Sequence, residues 1–371
     1  MHPAIKKAIE TSSNRAITYS TFIQLALYDA DNGYYMKNQE KIGRQGDFFT
    51  SSNVSSLYAQ QFASFFIKLV DKGWVPPTIC EIGGGTGRFA LDVLTEWEKQ
   101  SPTTFSMLRY KIVETSPFHR NMQQQKLHQF SNVEQFHSIE QIPTFSGIIF
   151  SNELFDAFPV EVIENTVHGL MEVLVTLNEQ GELVEKQIPL QNEAILQYLH
   201  VRNLQLKIGQ RFEVPLQMSS FVQQIARCMQ RGVCITVDYG YTNEEWMHPV
   251  HREGSLRGYY KHQLIRNPLL HPGEMDITSH IHWDELQRAG ELVGLETVLR
   301  HKQTSFLLST GILEKLVDHH DRNPFSEKQK HNRAIRSLIL QGSMSDYFNV
   351  SIQQKGLSNF SIEGLLDSSM L

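Results

Sequence analysis

A strand that leads through a glycine-dense turn into a helix constrains this chain more than any other feature. The run Thr78–Ile82 predicts a short buried strand, and Gly83-Gly84-Gly85-Thr86-Gly87 follows it directly. After the turn, apolar residues recur at the spacing of one face of an amphipathic helix: Ala90, Val93, Leu94 and Trp97. Glycines let a ligand lie against bare backbone, and a helix N-terminus adds unpaired N–H groups. The turn is therefore a candidate ligand site.

The spacing of the glycines separates two kinds of nucleotide site. The dinucleotide fingerprint needs a third glycine where this chain has Arg88, so that pattern fails. An acidic residue and three alternate glycines instead resemble motif I of the class I S-adenosylmethionine (SAM) methyltransferases: Glu81, Gly83, Gly85 and Gly87. A second apolar run, Tyr110–Val113, ends in Glu114, where such folds usually hold ribose hydroxyls. The alternative is that the glycines form only a tight turn.

Composition sets broad limits on the class of protein. The 371 residues are enough for two domains or for one large α/β domain with additions. A formal charge of −6 argues against nonspecific electrostatic binding of nucleic acid. The three cysteines show no C-x-x-C spacing, which favours a reduced protein. No signal peptide, transit peptide or membrane-spanning run is recognisable, so we expect a soluble, cytoplasmic protein without a membrane partner.

A polar segment at the end of another predicted strand marks a second candidate site. The buried run Gly147–Ser151 continues into Asn152-Glu153-Leu154-Phe155-Asp156. Open α/β sheets bind ligands at the carboxyl ends of their strands, so these acids are candidate catalytic groups. A further segment, Gly43–Ser52, places Asp47 between glycines and two phenylalanines, as in a loop folded over a ligand; the alternative is a surface turn.

The remaining pattern predicts additions to a sheet core. Alternation in Glu172–Leu177 and the turn at Gly181 predict a β-hairpin, followed by a helix near Ala194–Leu204. This stretch is too long for a single crossover and is interpreted as an insertion that shapes the substrate side. Val298–Leu308, split near Lys302-Gln303-Thr304, is predicted to form the paired last strands, and the charged segment after Gly311 is predicted to be helical.

Several separated motifs then identify a family. They are Gly33-Tyr34-Tyr35, Gly46-Asp47-Phe48-Phe49-Thr50, Glu81–Gly87, Ile112–Pro117, Asn152–Pro159, Asp238-Tyr239-Gly240-Tyr241 and Pro272–Thr278. In number and order they resemble the SAM-dependent methyltransferase family that includes MidA and the mitochondrial arginine methyltransferase of complex I assembly. The chain departs from the family pattern at Gly84, at Ser52-Asn53 and at Met344-Ser345, where the family has Pro, Pro-Glu and Met-Gly.

The resemblance implies an architecture. It implies a Rossmann-like class I α/β fold with a seven-stranded, mostly parallel sheet, an N-terminal helical segment and an inserted α+β subdomain. The implied domains are an N-terminal helical segment that covers the cofactor site (1–75) and a SAM-binding core in two pieces (76–160 and 216–312). An inserted substrate-side subdomain (161–215) and a C-terminal helical extension (313–371) complete the chain.

The resemblance also implies an activity, methyl transfer from SAM to a protein arginine. An arginine acceptor is protonated, so carboxylates must orient it and receive its proton. The candidates for this role are Glu153, Asp156 and Asp47, and Asn152 is a candidate for orienting the amine. The alternative for Glu153 and Asp156 is a helix N-cap and a surface acid. The implied cofactor-binding residues are Glu81, Gly83, Gly85, Gly87, Glu114, Gly46 and Thr50.

Other functions stay open from the sequence alone. A methyltransferase could act on RNA or a small molecule, although the negative charge disfavours RNA. An assembly factor could use SAM as a structural ligand only. A nicotinamide dehydrogenase is disfavoured by Arg88. No metal is expected, because the polar residues between His271 and His282 lack compact ligand spacing. The oligomeric state is undecided, with a homodimer among the options.

Overall fold

The computed structural model describes residues 2–38, 56–320, 323, 325–340, 342 and 344–367. The chain divides into two compact units, each assembled from three segments. Unit 1 comprises Met1–Phe48, Phe155–Val222 and Gly240–Ala289. Unit 2 comprises Phe49–Leu154, Gln223–Tyr239 and Gly290–Leu371. Each unit therefore combines segments that are far apart in the sequence.

The described residues form helices and strands throughout both units. The α-helices are α1 (Pro3–Thr11), α2 (Tyr19–Tyr28), α3 (Ser56–Asp71), α4 (Arg88–Gln100), α5 (Pro102–Phe105), α6 (Pro117–Leu127), α7 (Glu193–Val201), α8 (Leu216–Cys228), α9 (Asn243–Trp246), α10 (Trp283–Glu291), α11 (Gln303–Ser309) and α12 (Glu327–Ile339). The strands are β1 (Ala16–Thr18), β2 (Thr78–Ile82), β3 (Arg109–Val113), β4 (Val133–Phe136), β5 (Phe145–Asn152), β6 (Glu161–Thr166), β7 (Gly169–Leu177), β8 (Leu183–Pro189), β9 (Gln210–Val214), β10 (Met229–Tyr241), β11 (Arg257–Tyr260), β12 (Gln263–Ile265), β13 (Asp276–Thr278), β14 (Ile281–His282), β15 (Glu296–Lys302) and β16 (Phe348–Lys355).

Unit 2 is built on a mixed, mostly parallel sheet with the strand order β15-β16-β10-β5-β2-β3-β4. Strands β10, β5, β2, β3 and β4 are parallel, whereas β16 is antiparallel to both of its neighbours. This path has seven strands, and β14 pairs with Gly240 and Tyr241 at the end of β10, which belong to unit 1. The alternation of strands and helices gives the expected Rossmann-like α/β architecture.

The parallel strands bring their carboxyl ends to one edge of the sheet. In register, Ile82 at the end of β2 aligns with Val113 on β3 and with Ser151 on β5. From β2 the chain moves outward to β3 and β4, and it then returns to β5 on the other side of β2. Ligands bind at such a reversal of strand order in open α/β sheets. The fold therefore directs attention to the residues that follow β2, β3 and β5.

Phenylalanine packing holds helices α3 and α4 against this sheet. The ring of Phe89 on α4 stacks on Phe150 of β5 with centroids 4.4 Å apart. Phe62 of α3 lies 5.0 Å from Phe150, and Phe66 lies 5.6 Å from it. A fully buried side chain of this size contributes roughly 1.5–3 kcal/mol. The cluster thus fixes α3, whose first turns approach the polar end of β5.

The predicted pairing of strands within Val298–Leu308 is wrong. Strand β15 ends at Lys302, and Gln303–Ser309 is helix α11, in which Phe306 and Leu307 are fully buried. The partner of β15 is β16, which lies within the segment predicted as a C-terminal helical extension. The strand signal of β16 was hidden because Gln353 and Gln354 are polar but buried. Their amides donate to the Leu295 carbonyl and to the Glu296 carboxylate of the neighbouring chain segment.

Unit 1 contains two antiparallel sheets, the helices α1, α2, α7 and α9, and parts of α8 and α10. One sheet has the order β1-β7-β6-β9 with β8 paired to β7, and the other has the order β12-β11-β13. The predicted hairpin is present as β7 and β8, and the helix predicted after it is α7. Apolar residues of α1, α2, β6 and β7 pack with those of β13 to form its core. The unit thus includes the predicted insertion together with segments from before and after it.

Candidate active site

The glycine turn after β2 has the backbone that its sequence predicts. Gly83, Gly85 and Gly87 have φ of 75°, 49° and 73°, a region that residues with a Cβ rarely adopt. Gly87 is the N-cap of α4 without any side-chain cap. Helix α6 secures the turn from one side, since the Gln123 amide donates to the Gly85 carbonyl at 2.7 Å. The turn is therefore a fixed stretch of bare backbone at a helix N-terminus.

Gly84 is held by its packing. A Cβ at this position would lie 2.5 Å from Cγ2 of Ile112 on the adjacent strand β3. Ile112 is fully buried, so it has little room to move away. In this chain, Ile112 occupies the space that the proline typical of the family would need at position 84.

Glu114 is positioned by backbone hydrogen bonds at the end of β3. Its Oε2 accepts the N–H of Gly85 at 2.8 Å, and its Oε1 accepts the N–H of Ser116 at 2.8 Å. The Nδ1 of His119 lies 3.8 Å from Oε1. Each carboxylate oxygen has a second lone pair beyond these bonds. The side chain thus ties the end of β3 to the glycine turn and keeps capacity to accept further donors.

Glu81 lies beneath the turn. It is 4% exposed, and its Oε2 accepts the hydroxyl of Tyr110 at 2.8 Å. Burial raises the pKa of Glu81 to about 8, and the nearby Glu114 adds to the shift while the Tyr110 hydrogen bond opposes it. At neutral pH much of this carboxyl group is therefore protonated. Its contact with Tyr110 supports the strand pair under the turn.

Asn152 and Glu153 form a hydrogen-bonded pair at the end of β5. The Nδ2 of Asn152 donates to Glu153 Oε1 at 2.9 Å. The Glu153 N–H donates to the carbonyl of Val237 on β10 at 2.9 Å, and Glu153 has a φ of 51°. Glutamate seldom takes this left-handed conformation, which costs about 1–3 kcal/mol. The carboxylate therefore extends from a strained backbone at the ligand-binding edge of the sheet.

Tyr58 of α3 reaches the same place and was missed by sequence reasoning. Its hydroxyl donates to Asn152 Oδ1 at 2.6 Å and lies 3.4 Å from Gln303 Oε1. Burial raises the pKa of Tyr58 well above its usual value, and the neighbouring acids Glu153 and Asp238 add to the effect. No local signal distinguished Tyr58 from the apolar face of α3. Gln303 was likewise missed, because it was predicted to lie at the break between the two last strands.

Asp156 belongs to unit 1, since the division between the units falls after Leu154. It is 8% exposed, so the interpretation as a surface acid is wrong. Its Oδ2 accepts the hydroxyl of Thr278 at 3.1 Å, and its carbonyl accepts the N–H of Ser279 at 2.9 Å. Asp276, two residues before Thr278, accepts a hydrogen bond from the hydroxyl of Tyr35 at 2.6 Å. Three of the separated sequence motifs therefore meet inside unit 1.

The remaining predicted site residues cannot be placed. Gly46, Asp47 and Thr50 lie outside the described residues, as does Asn53. Within the described part of the chain, no group of three or more His, Cys, Asp or Glu side chains is arranged to hold a metal ion. None of the described helices has the length and apolar character required to cross a lipid bilayer.

Comparison with known proteins decides the family. A sequence model of the family described as putative S-adenosyl-L-methionine-dependent methyltransferase matches residues 57–300. The chain belongs to this family. It is a SAM-dependent methyltransferase, as the glycine turn and the strand-end glutamates predicted.

Curated relatives and a solved structure extend the likeness over most of the chain. The mitochondrial protein arginine methyltransferase NDUFAF7 of Danio rerio is 26% identical over 331 residues, which cover 80% of this chain and 73% of that protein. The Drosophila melanogaster homolog is 24% identical over 324 residues, covering 79% and 71%. A likely methyl transferase of the COG1565 superfamily from Burkholderia thailandensis, crystallised with S-adenosyl-homocysteine, is 25% identical with a TM-score of 0.85, covering 99% of this chain and 97% of that one.

The described residues fit this cofactor. Gly83, Gly84, Gly85 and Gly87 of the turn carry no Cβ that would keep a nucleoside from the backbone, and Glu114 retains two oriented acceptor positions for a pair of hydroxyls. SAM supplies a methyl group on a positively charged sulfur when it is bound. Acceptor orientation and proton removal are left to the side chains of the protein.

Proposed function

We propose that this methyltransferase modifies a protein and that the acceptor is an arginine side chain. The observation that carries the proposal is the Asn152–Glu153 pair at the ligand-binding edge of the sheet. It is supported by the names of the curated relatives, which are protein arginine methyltransferases. A guanidinium is always protonated and planar, and it is recognised best by an oriented carboxylate.

In this proposal Glu153 carries the chemistry. Its carboxylate accepts hydrogen bonds from the guanidinium, localises the positive charge away from the attacking nitrogen and takes up the proton released by transfer. Asn152 holds that carboxylate through its Nδ2, and the strained backbone at Glu153 directs it. Asp156 stays a predicted catalytic acid. Asp47 keeps the same role as a prediction.

Cofactor binding is assigned to the turn and to the glutamate beside it. We propose that the backbone of Gly83, Gly85 and Gly87 borders the amino acid and sugar of SAM, and that Glu114 accepts from the ribose hydroxyls. Glu81 is proposed to contribute indirectly, because its hydrogen bond with Tyr110 supports the glycine turn. Gly46 and Thr50 remain predicted cofactor residues.

The domain roles and the cellular setting are also proposals. We propose that the hairpin and helix within residues 161–215 shape the acceptor side and that residues 1–75 cover the cofactor. A cytoplasmic location is proposed from the three free, buried cysteines, whereas the relatives named above are mitochondrial. A protein substrate is the expected partner, and nucleic acid and membrane are not.

The test is transfer of labelled methyl groups from SAM to proteins of a cell lysate. Wild-type protein should label a discrete protein band at arginine, and Glu153→Gln should lose the label while binding SAM with unchanged affinity by calorimetry. Glu98→Gln, a change of the same kind at an exposed position of α4, is the matched control. Label confined to RNA or to the low-mass fraction would contradict the proposed acceptor.

A further inference from the structure

The buried side chains of Gln303 and Tyr58 and the half-buried side chain of Asn152 form a series of polar contacts that ends on Glu153. We propose that Tyr58 and Gln303 are positioning residues for methyl transfer, because together they fix the direction of the Asn152 amide and thereby the group that Asn152 presents to Glu153. The inference rests on the proposed role of Glu153. The atoms concerned all belong to unit 2, and the links of the series are 3.4 Å, 2.6 Å and 2.9 Å.

The direction of the Asn152 amide decides what Glu153 meets. With its Nδ2 toward Glu153, Asn152 donates a hydrogen bond to the carboxylate; turned by 180°, it would present Oδ1 and repel it. Asparagine has no intrinsic preference between these two directions. The hydroxyl of Tyr58 supplies the preference, because it donates to Oδ1 at 2.6 Å and so keeps Oδ1 away from Glu153.

Gln303 in turn decides the direction of the Tyr58 hydroxyl. Gln303 is the first residue of α11 and is fully buried, and its Nε2 has no hydrogen-bond partner among the described residues. Its Oε1 lies 3.4 Å from a hydroxyl whose single proton is already committed to the closer Asn152 oxygen. A half-turn of the Gln303 amide replaces this contact of two acceptors with an Nε2–H that donates to the Tyr58 oxygen. The buried donor is then satisfied, and the Tyr58 proton is directed to Asn152.

The surroundings keep the series rigid and in one protonation state. The Tyr58 ring packs 5.0 Å from Phe62 and 6.2 Å from Phe89, within the core that holds α3 on the sheet. Because burial raises the pKa of Tyr58, its hydroxyl remains a donor throughout the physiological range. In this arrangement the hydrogen bonds are donated in one direction: Gln303 donates to Tyr58, Tyr58 to Asn152 and Asn152 to Glu153. The last residue is the one whose backbone is also strained, at a φ of 51°.

Tyr58→Phe tests the first consequence, since it removes the hydroxyl and keeps the ring. We expect kcat to fall about tenfold, the rate equivalent of one neutral hydrogen bond, while the SAM dissociation constant is unchanged. The acid limb of the kcat–pH profile should move to higher pH, because the Glu153 carboxylate loses an oriented donor. Tyr347→Phe is the control, since it removes the hydroxyl of an exposed tyrosine that has no assigned role in the site. It should leave kcat and the profile unchanged.

A double-mutant cycle tests whether Tyr58 acts through Asn152. Tyr58→Phe should cost little further kcat in an Asn152→Ala background, and Gln303→Met, of similar length, should reproduce the Tyr58→Phe phenotype. The shifts in the temperature of thermal unfolding caused by Tyr58→Phe and Gln303→Met should be non-additive when the two changes are combined. Additive effects in either cycle, or wild-type kcat in Tyr58→Phe, would overturn the inference.

The outcomes separate this inference from the proposed function. If wild-type protein labels no protein, the proposed acceptor is wrong, and the unfolding cycle still decides whether Gln303 and Tyr58 are coupled. If Glu153→Gln keeps full activity, the role of Glu153 and this inference fail together. If Glu153→Gln is inactive while Tyr58→Phe has wild-type activity and pH profile, only the positioning roles are refuted.

Discussion

Glu114→Gln is the perturbation that the structure describes most completely. The two oxygens of this carboxylate each accept one backbone N–H, from Gly85 and from Ser116, at 2.8 Å. In the variant one oxygen becomes an NH₂ group, so one of the two backbone donors faces another donor. Hydrogen bonds to a charged group contribute about 1.5–3 kcal/mol each, and the remaining bond becomes a neutral one. We therefore expect the free energy of unfolding to fall by roughly 2–4 kcal/mol, which leaves the protein folded.

The same change should weaken cofactor binding by a calculable amount. If Glu114 accepts two ribose hydroxyls, the variant loses one charged acceptor, which corresponds to a rise in the SAM dissociation constant of roughly 10- to 150-fold. Calorimetric titration with SAM and denaturant unfolding measure the two effects separately. Glu134→Gln, an exposed glutamate on the neighbouring strand β4, is the matched control and should change either quantity by less than about 0.5 kcal/mol. SAM affinity within about twofold of wild type in Glu114→Gln would refute the assignment of the ribose to this carboxylate.

Three further predictions concern the support of the site. Gly84→Ala should destabilise the protein by about 1–3 kcal/mol because its Cβ would lie 2.5 Å from Ile112 Cγ2, and in denaturant unfolding its cost should be smaller in an Ile112→Ala background, where the clash is absent. Burial raises the pKa of Glu81 from 4.5 to about 8, so the folded state binds an extra proton between these values. The unfolding free energy should therefore fall as pH rises from about 4.5 to 8, with a smaller fall in Glu81→Gln; an identical pH dependence in the two proteins would contradict this. Thr278→Val removes the donor to Asp156 and should lower stability by about 1–2 kcal/mol, whereas an unchanged thermal unfolding temperature would show that the bond contributes nothing.

The parts of the site that could be predicted from sequence depend on local patterns. The glycine turn and Glu114 follow directly after apolar strands, and parallel strands place their ends together whatever the rest of the fold does. Asn152 and Glu153 were found by the same rule. Sequence order alone did not reveal that Asp156 belongs to a different compact unit from Glu153, three residues earlier.

The parts that could not be predicted depend on contacts between distant segments. Tyr58 and Gln303 are 245 residues apart, and Tyr58 lies in a largely apolar helix whereas Gln303 lies in a polar run that looks exposed. Strand β16 was missed because its buried glutamines satisfy their amides on the segment that leads into β15, which only the tertiary structure supplies. Buried polar groups are the common cause, since their partners decide whether burial is tolerable.

A crystal structure of the protein with S-adenosyl-homocysteine tests the central claim most directly. We expect the nucleoside to lie along the backbone from Gly83 to Gly87, with both ribose hydroxyls on Glu114 and the sulfur directed toward the end of β5 that carries Glu153. A turn filled by side chains of the protein, or a ligand bound with its ribose away from Glu114, would contradict the account.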